Sequence, residues 1–516
     1  MPADSLSPAL SRFAPLWAML AGALAVLSFA PLSWWPVQIA SLAVLLWLAV
    51  EQTTIRRSAL MGWSFSFGWM VAGTHWLYTS LHDYGGLPAA VTVAAVALLA
   101  ALMALYTAIA MATGAWLRLR CALSPATTLL LVFPPLWALG EWLRNWVATG
   151  FPWIVSGYAH VDSPLAGYAP LVGVYGIGWL AVLLAACLVL AFSPQRKRAL
   201  ALAAVVLVAG VALDRLAWTS PHGAPISVRL LQGNVPQEMK FNPERAGETL
   251  ALYHEMLTEA RADLIATPET ALPMMANALP PDYLELLSTF ARQSKSNLLV
   301  GVPVSDGPGM YANSLLGLGA SASASAQPYR YDKHHLVPFG EFIPPGFRWF
   351  VDMMHIPLGD FTRGAALQAP FQAAGQWVLP NICYEDLFGE EIADQIAASY
   401  FSGRPQPTMM LNVSNIAWFG DSIALPQHLQ ISQMRSLETR RPMLRATNTG
   451  ATAVVDARGH VQAQLQPYTR GVLSAQVQGM TGYTPYILFG NTLVLTAALL
   501  LLGGIWFKWR RDHVKS

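Results

Sequence analysis

Before about Leu216 the chain is a succession of long apolar stretches, near residues 12–31, 34–50, 58–80, 88–117, 126–146, 167–192 and 198–216. An eighth lies near 486–507. Each approaches the roughly 20 apolar residues that a helix needs to cross a bilayer. Only 12% of all residues are charged, where an ordinary soluble chain carries about 25%. The intervening segment has ordinary soluble composition. The sequence therefore predicts seven transmembrane helices over 1–216, a soluble domain over 217–484, and a last helix with a basic tail over 485–516. The fifth stretch is the weakest, because Pro134 and Pro135 interrupt it.

Charge orients the helices. Arg12, Arg56, Arg57, Arg118, Arg120, Arg196, Lys197, Arg198, Lys508, Arg510, Arg511 and Lys515 fall on one side, and only Arg144 and Arg215 on the other. Positive residues collect in the cytoplasm, so both termini are expected there and the soluble domain outside. The first stretch is expected to be a retained helix, since cleavage as a secretory signal would leave an odd number of crossings. No basic run with interleaved aromatics suggests nucleic acid, and no Cys/His cluster suggests a metal.

From Ile226 onward, short β-rich runs alternate with helical patterns. "ISVRLLQGN", "DLIATPE", "NLLVGVPV", "WVLPNICYE" and "PTMMLNVSN" read as strands, and "YLELLSTFARQS" as a helix. The alternation predicts an α/β sandwich with functional groups at the C-terminal ends of strands. Three ionisable residues fall at such ends: Glu269, Lys333 and Cys383.

Cys383 poses a problem. It is one of three cysteines, and Glu385 and Asp386 follow it closely. Neighbouring carboxylates make a thiol a poorer nucleophile, so activation has to come from elsewhere in the chain. A Lys ammonium about 4 Å away would favour the thiolate by roughly 4 kcal/mol at an effective dielectric of 20. A Glu carboxylate at similar range largely cancels that gain. The balance favours a neutral thiol that yields its proton to Glu269 as it attacks, with Lys333 facing the developing oxyanion.

"TPETALP" around Glu269, "KHHLVPFGEFIP" from Lys333 and "NICYEDLFGEE" around Cys383 resemble the Glu-Lys-Cys signature of the nitrilase superfamily. "LNVSNIAWFGDS", "RSLETRRPMLRATNTG" and "TGFPW" (Thr149 to Trp153) extend the likeness to its membrane-embedded branch, the bacterial apolipoprotein N-acyltransferases. The resemblance implies a polytopic α-helical membrane domain of about eight helices carrying an extracytoplasmic αββα nitrilase-like sandwich. It implies transfer of an sn-1 acyl chain from a phosphatidylethanolamine-type phospholipid, through a cysteine thioester, to the α-amino group of a diacylglyceryl-cysteine on a lipoprotein. The expected setting is the bacterial inner membrane, with a periplasmic catalytic domain, membrane lipids as neighbours, no cofactor and a monomeric chain. Carried over by residue, Cys383 is the nucleophile, Glu269 the general base and Lys333 the oxyanion stabiliser. Glu341, Tyr384 and Glu385 match supporting positions, with the Tyr384 backbone N–H a candidate oxyanion donor. The chain departs from the pattern at Thr267 and Phe241, where aromatic residues and tryptophan are common.

Lipid contacts are expected along "FIPPGFRWFVDMMHIPLGDF", a loop-like arm rich in Phe, Trp, Met and Ile, with a loop buried within the domain as the equal alternative. Phe342, Trp349 and Met353 represent it, with Trp418 beside it in role. Glu141 and Arg144, at helical i, i+3 spacing, are candidates for a phosphoethanolamine head group or for a simple ion pair. Trp153 is expected to anchor at the interface. Arg435, Glu438, Arg441 and Arg445 read as a structural ion network, and His334 and His335 beside Lys333 raise a competing Cys-His arrangement. Competing functions are a membrane-tethered amidase using the same triad, and a transporter or lipid-binding protein without catalysis. Transport is disfavoured because the helix centres are nearly free of ionisable residues.

Overall fold

The computed structural model describes residues 8–237, 243–319, 328–351 and 360–514. The chain divides into two compact units. One comprises residues 1–78, 89–216 and 489–516, and the other residues 79–88 and 217–488.

The first unit is helical. Its long helices are α1 (Pro8–Ala25), α2 (Trp35–Val50), α3 (Ile55–Thr74), α4 (Ala89–Arg120), α5 (Phe133–Trp146), α6 (Ala169–Leu190) and α7 (Arg196–Asp214), with Thr492–Val514 at the chain's end. Four segments among the described residues are long and apolar enough to cross a membrane: Ala89–Arg120, Pro125–Thr149, Pro164–Leu190 and Thr492–Asp512. Arg12–Ser28 and Trp35–Val50 are apolar but shorter. Pro134 and Pro135 do not break their stretch. They fall in the first turn of α5, where the missing N–H groups would have no helical partner anyway. Helices α1 and α3 approach through glycine: a β-carbon on Gly22 would lie 1.9 Å from the Phe65 carbonyl oxygen, and one on Gly68 2.1 Å from that of Met19. Small residues at such crossings let backbones pack without a hydrophobic driving force.

The second unit is built on two six-stranded sheets. Its strands are β1 (Ile226–Gln232), β2 (Leu264–Ala266), β3 (Asn297–Gly307), β4 (Met310–Gly319), β5 (Tyr329–Asp332), β6 (Phe371–Ala373), β7 (Gln376–Ile382), β8 (Met409–Ser414), β9 (Met443–Thr447), β10 (Ala453–Val455), β11 (Val461–Gln464) and β12 (Gly471–Val477). One sheet runs β12-β1-β2-β3-β4-β5 and the other β11-β10-β9-β8-β7-β6. The centre of each is parallel, β1-β2-β3 and β7-β8-β9, and the flanks are antiparallel.

Period-two alternation builds the layers. Val228, Leu230, Leu264 and Leu299 of one sheet share a core with Val378, Ile382, Leu411, Val413 and Leu444 of the other. Ile265, Leu298 and Val300 point the opposite way, onto Ala246–Thr258 and Tyr283–Ser294. Leu379, Met410 and Met443 pack against Gly389–Ser402 and Ala424–Thr439. The order is helices, sheet, sheet, helices. Each such aliphatic side chain contributes roughly 1.5–3 kcal/mol by leaving water, which is what closes the sandwich.

The third apolar stretch was expected to run to residue 80, but α3 ends at Thr74. Residues 79–88 cluster with the second unit. There Leu81 and Leu87 pack on Phe339 and Ile343, and the Tyr84 ring meets Trp418 at 5.8 Å.

Candidate active site

Strand ends bring the three expected residues together. Glu269 lies three residues beyond β2, Lys333 directly follows β5, and Cys383 directly follows β7. Lys333 is 1% exposed, and its Nζ lies 3.2 Å from Glu269 Oε1 and 2.8 Å from Glu341 Oε1. Glu341 comes from the loop after Lys333, held there by the Val337 N–H on its Oε2 at 2.8 Å. Both carboxylates and the ammonium act electrostatically on Cys383, a free thiol. Cys383 adopts φ +53°, a left-handed conformation that costs a residue with a β-carbon of order 1–3 kcal/mol. It opens a short 3-10 turn, Cys383–Leu387.

Two groups that the sequence reading passed over complete this cluster. Asn313, in β4, donates its Nδ2 to Glu269 at 2.7 Å and to Glu341 at 3.1 Å. The backbone N–H of Asn415 donates to Glu269 Oε2 at 2.9 Å and also faces the Cys383 sulfur. A buried asparagine inside "YANSLL" was the only sequence signal for the first. The second is a main-chain group and leaves no residue signature.

Electrostatics keep the sulfur protonated. Burial pushes the Cys383 thiol up, Glu269 adds to that, and Lys333 offsets only part of it. For Lys333, burial works against the charge, but Glu269 and Glu341 outweigh it and hold the ammonium above its ordinary range. The cluster of two carboxylates and one ammonium carries one net negative charge in a buried place. A proton delivered to Glu269 makes it neutral, and this is the charge balance that a general base needs.

The carboxylates beside the thiol prove to be anchors. Glu385 Oε2 accepts the Ile382 N–H at 2.6 Å and the Tyr331 hydroxyl at 3.0 Å, while Oε1 accepts the His334 and His335 N–H groups at 2.6 and 3.2 Å. It thereby ties the Cys383 turn to the strand that carries Lys333. Burial raises its pKa, and the backbone donors pull it back. Asp386 turns to Arg445 at 3.0 Å. Tyr384 is buried, its ring packed on Phe388 and His335. The imidazoles of His334 and His335 are engaged with the Gly364 carbonyl and with Glu391, which leaves the Cys-His arrangement without geometric support.

The expected ion network is divided. Arg435 pairs with Glu438 at 3.2 Å, Arg441 donates to the Pro407, Thr439 and Gly482 carbonyls, and Arg445 pairs with Asp386 in the Cys383 turn.

Of the lipid-contact candidates, Trp349 is 61% exposed, and Phe342 is half-buried with the Arg363 guanidinium over its ring at 5.1 Å. Trp418 is half-buried against Tyr84. Met353 and Phe241 lie outside the described residues. Burial decides two expectations for the helical unit, against one reading of Trp153 and for the ion pair of Glu141 with Arg144. Trp153 is 3% exposed and packs on Trp76 at 4.7 Å, so it is a core residue and not an interfacial anchor. Glu141 and Arg144 are buried, 3.9 Å apart. Glu141 accepts the Ser156 N–H at 2.8 Å and its hydroxyl at 2.6 Å, so this carboxylate is committed within the protein instead of to a head group.

Comparison with known proteins accounts for both halves of the chain. Residues 21–187 match the model of the apolipoprotein N-acyltransferase N-terminal domain, and residues 227–486 that of carbon-nitrogen hydrolase. The chain is 51% identical over 496 residues to an apolipoprotein N-acyltransferase of Ralstonia nicotianae, covering 95% of this chain and 92% of the relative. It is 44% identical over 491 residues to one of Nitrosomonas europaea, covering 94% and 95%. A third, from Methylococcus capsulatus, is 41% identical over 515 residues, with 98% and 97% covered.

Proposed function

The chain belongs to the apolipoprotein N-acyltransferase family, and from that premise we propose that Cys383, Glu269 and Lys333 perform the acyl transfer. It is an acyltransferase of lipoprotein maturation, with phospholipid and lipoprotein as substrates. The finer substrate reading is an sn-1 chain from phosphatidylethanolamine, moved to the α-amino group of a diacylglyceryl-cysteine by a monomeric enzyme. The observation that carries it is the buried contact of Lys333 with Glu269 and Glu341 beside Cys383.

In the first half-reaction the Cys383 sulfur attacks the ester carbonyl carbon and its proton passes to Glu269. The oxyanion faces the Lys333 ammonium and the Tyr384 N–H. Collapse breaks the ester C–O bond, Glu269 protonates the leaving alkoxide, and lysophospholipid departs from a thioester. In the second, the acceptor amine attacks the thioester carbonyl and Glu269 takes its proton. The C–S bond breaks, the amide is formed, and the proton returns to sulfur. An α-amino group has a pKa near 8, so about a tenth is neutral at pH 7. Lysophospholipid leaves the thioester enzyme before the acceptor amine attacks, which makes the kinetics ping-pong.

Eight membrane crossings, cytoplasmic termini and a periplasmic catalytic unit complete the reading, at the bacterial inner membrane. The 342–363 arm, with Trp349 exposed, is proposed as the acyl-chain path. The test is incubation with phosphatidylethanolamine bearing different sn-1 and sn-2 chains and a diacylated lipopeptide. The expected product is lipopeptide carrying the sn-1 chain. Free fatty acid in place of triacylated lipopeptide would make the protein a hydrolase.

A further inference from the structure

Cys383 cannot hold its left-handed backbone alone, and the structure supplies the restraint from behind. Arg445, on β9 and fully buried, donates to Asp386 at 3.0 Å, to the Ser432 hydroxyl and to the Ala451 carbonyl at 3.2 Å. Its remaining nitrogen lies 2.9 Å from His428 Nδ1. A guanidinium can only donate, so Nδ1 accepts and the ring proton of neutral His428 resides on Nε2. Burial first, and then the Arg445 charge, keep that ring neutral. The ring also acts on the Cys383 backbone, whose carbonyl accepts a 3.2 Å hydrogen bond from Asn412 Nδ2.

We propose that His428, oriented by the Asp386–Arg445 pair, is a positioning residue for the oxyanion site, acting with Asn412 on the Cys383 carbonyl. A trans peptide unit is planar, and its C=O and N–H point in opposite directions. Donors that hold the Cys383 C=O from behind therefore aim the Tyr384 N–H forward, where the oxyanion of either half-reaction develops. This explains why a second carboxylate follows the nucleophile. Asp386 fixes Arg445, which fixes the tautomer that meets the carbonyl. The inference rests on Cys383 being the nucleophile.

The test uses the full-length enzyme in detergent with phosphatidylethanolamine alone, reading thermal unfolding and the rate of acyl gain on Cys383 across lipid concentrations. His428→Leu should lower the maximal acylation rate about 30-fold, part of the about 100-fold or more that loss of an oxyanion donor brings. The half-saturating lipid concentration should stay unchanged, because only a transition-state interaction is lost. His428→Gln, whose amide can accept from Arg445 and donate onward, should recover to within about fivefold of wild type. A folded His428→Leu enzyme acylated within about threefold of wild type would overturn the proposal. Should that variant fail to fold, Asn412→Ala decides: a lowered maximal rate at constant half-saturation supports it, and a wild-type rate overturns it. A wild-type enzyme that gains no acyl chain would instead remove Cys383 as nucleophile and this inference with it.

Discussion

The two units bury charge for different ends. Among the described residues of the helical unit, the buried carboxylate and guanidinium are Glu141 and Arg144, and Glu141 is satisfied by Ser156. The catalytic unit buries Glu269, Lys333, Glu341, Glu385, Asp386, Arg435, Glu438, Arg441 and Arg445. Some of these are pinned by backbone donors and neighbouring side chains, as Glu385 is by four hydrogen bonds. Glu269, Lys333 and Glu341 are held in a set whose charges do not cancel. Buried charge is costly unless it is paired, so a cluster left one proton short of neutrality is where proton transfer is to be expected. Among its described residues the helical unit shows no such imbalance.

The widest gap between the units should appear on deleting that cluster. Cys383→Ala and Glu269→Gln should each lower lipopeptide acylation by about 1,000-fold or more, since each removes a group used in both half-reactions. Lys333→Met leaves two adjacent carboxylates without their cation. It should lose about 100- to 1,000-fold in rate and about 3–5 kcal/mol in stability, read by transfer assay and by unfolding. Glu141→Gln is the matched change in the helical unit. It should cost roughly 1–3 kcal/mol of stability and leave the per-molecule acylation rate of folded enzyme within about threefold of wild type. A Glu141→Gln enzyme that folds but cannot acylate would erase the distinction.

A spectroscopic reading sharpens the same contrast. Burial and Glu269 both raise the Cys383 pKa, so the folded site should hold the proton well above the pH at which an ordinary thiol ionises. The difference spectrum of wild type minus Cys383→Ala should show no thiolate absorption at neutral pH. Its appearance there would mean that Lys333, and not Glu269, governs the sulfur. The smallest effect belongs to the exposed arm. Trp349→Ala should raise KM for phospholipid a few-fold and leave kcat unchanged, as loss of uniform binding does; a fall in kcat at constant KM would remove the arm from the acyl path.

The residues proposed to carry the chemistry were readable because local patterns place them. Glu269, Lys333 and Cys383 each sit where a β-run stops, and alternation in "ISVRLL" and "MMLNV" marks which side faces the other sheet. What could not be read depends on distant pairing. Asn313 bridges Glu269 and Glu341, Arg445 reaches Asp386 across 59 positions, and Asn415 acts through its backbone. Glu385 and Asp386 looked like electrostatic obstacles to Cys383 because adjacency in sequence hides where a carboxylate points. In the helical unit, hydrophobicity located the helices but not their neighbours. Trp153 has the composition of an interfacial anchor, and only packing on Trp76 makes it core. Leu81 and Leu87 continue an apolar pattern, yet they pack with Phe339 and Ile343.

The central claim is that Cys383 carries the acyl chain between two substrates. The most direct measurement is the intact mass of purified wild-type and Cys383→Ala protein after incubation with phosphatidylethanolamine alone. The account predicts one added acyl mass on wild type, located on Cys383, absent from the variant, and discharged by a diacylated lipopeptide faster than by water. An acyl adduct on the Cys383→Ala protein, or none on wild type with the lipid verified as delivered, would contradict it.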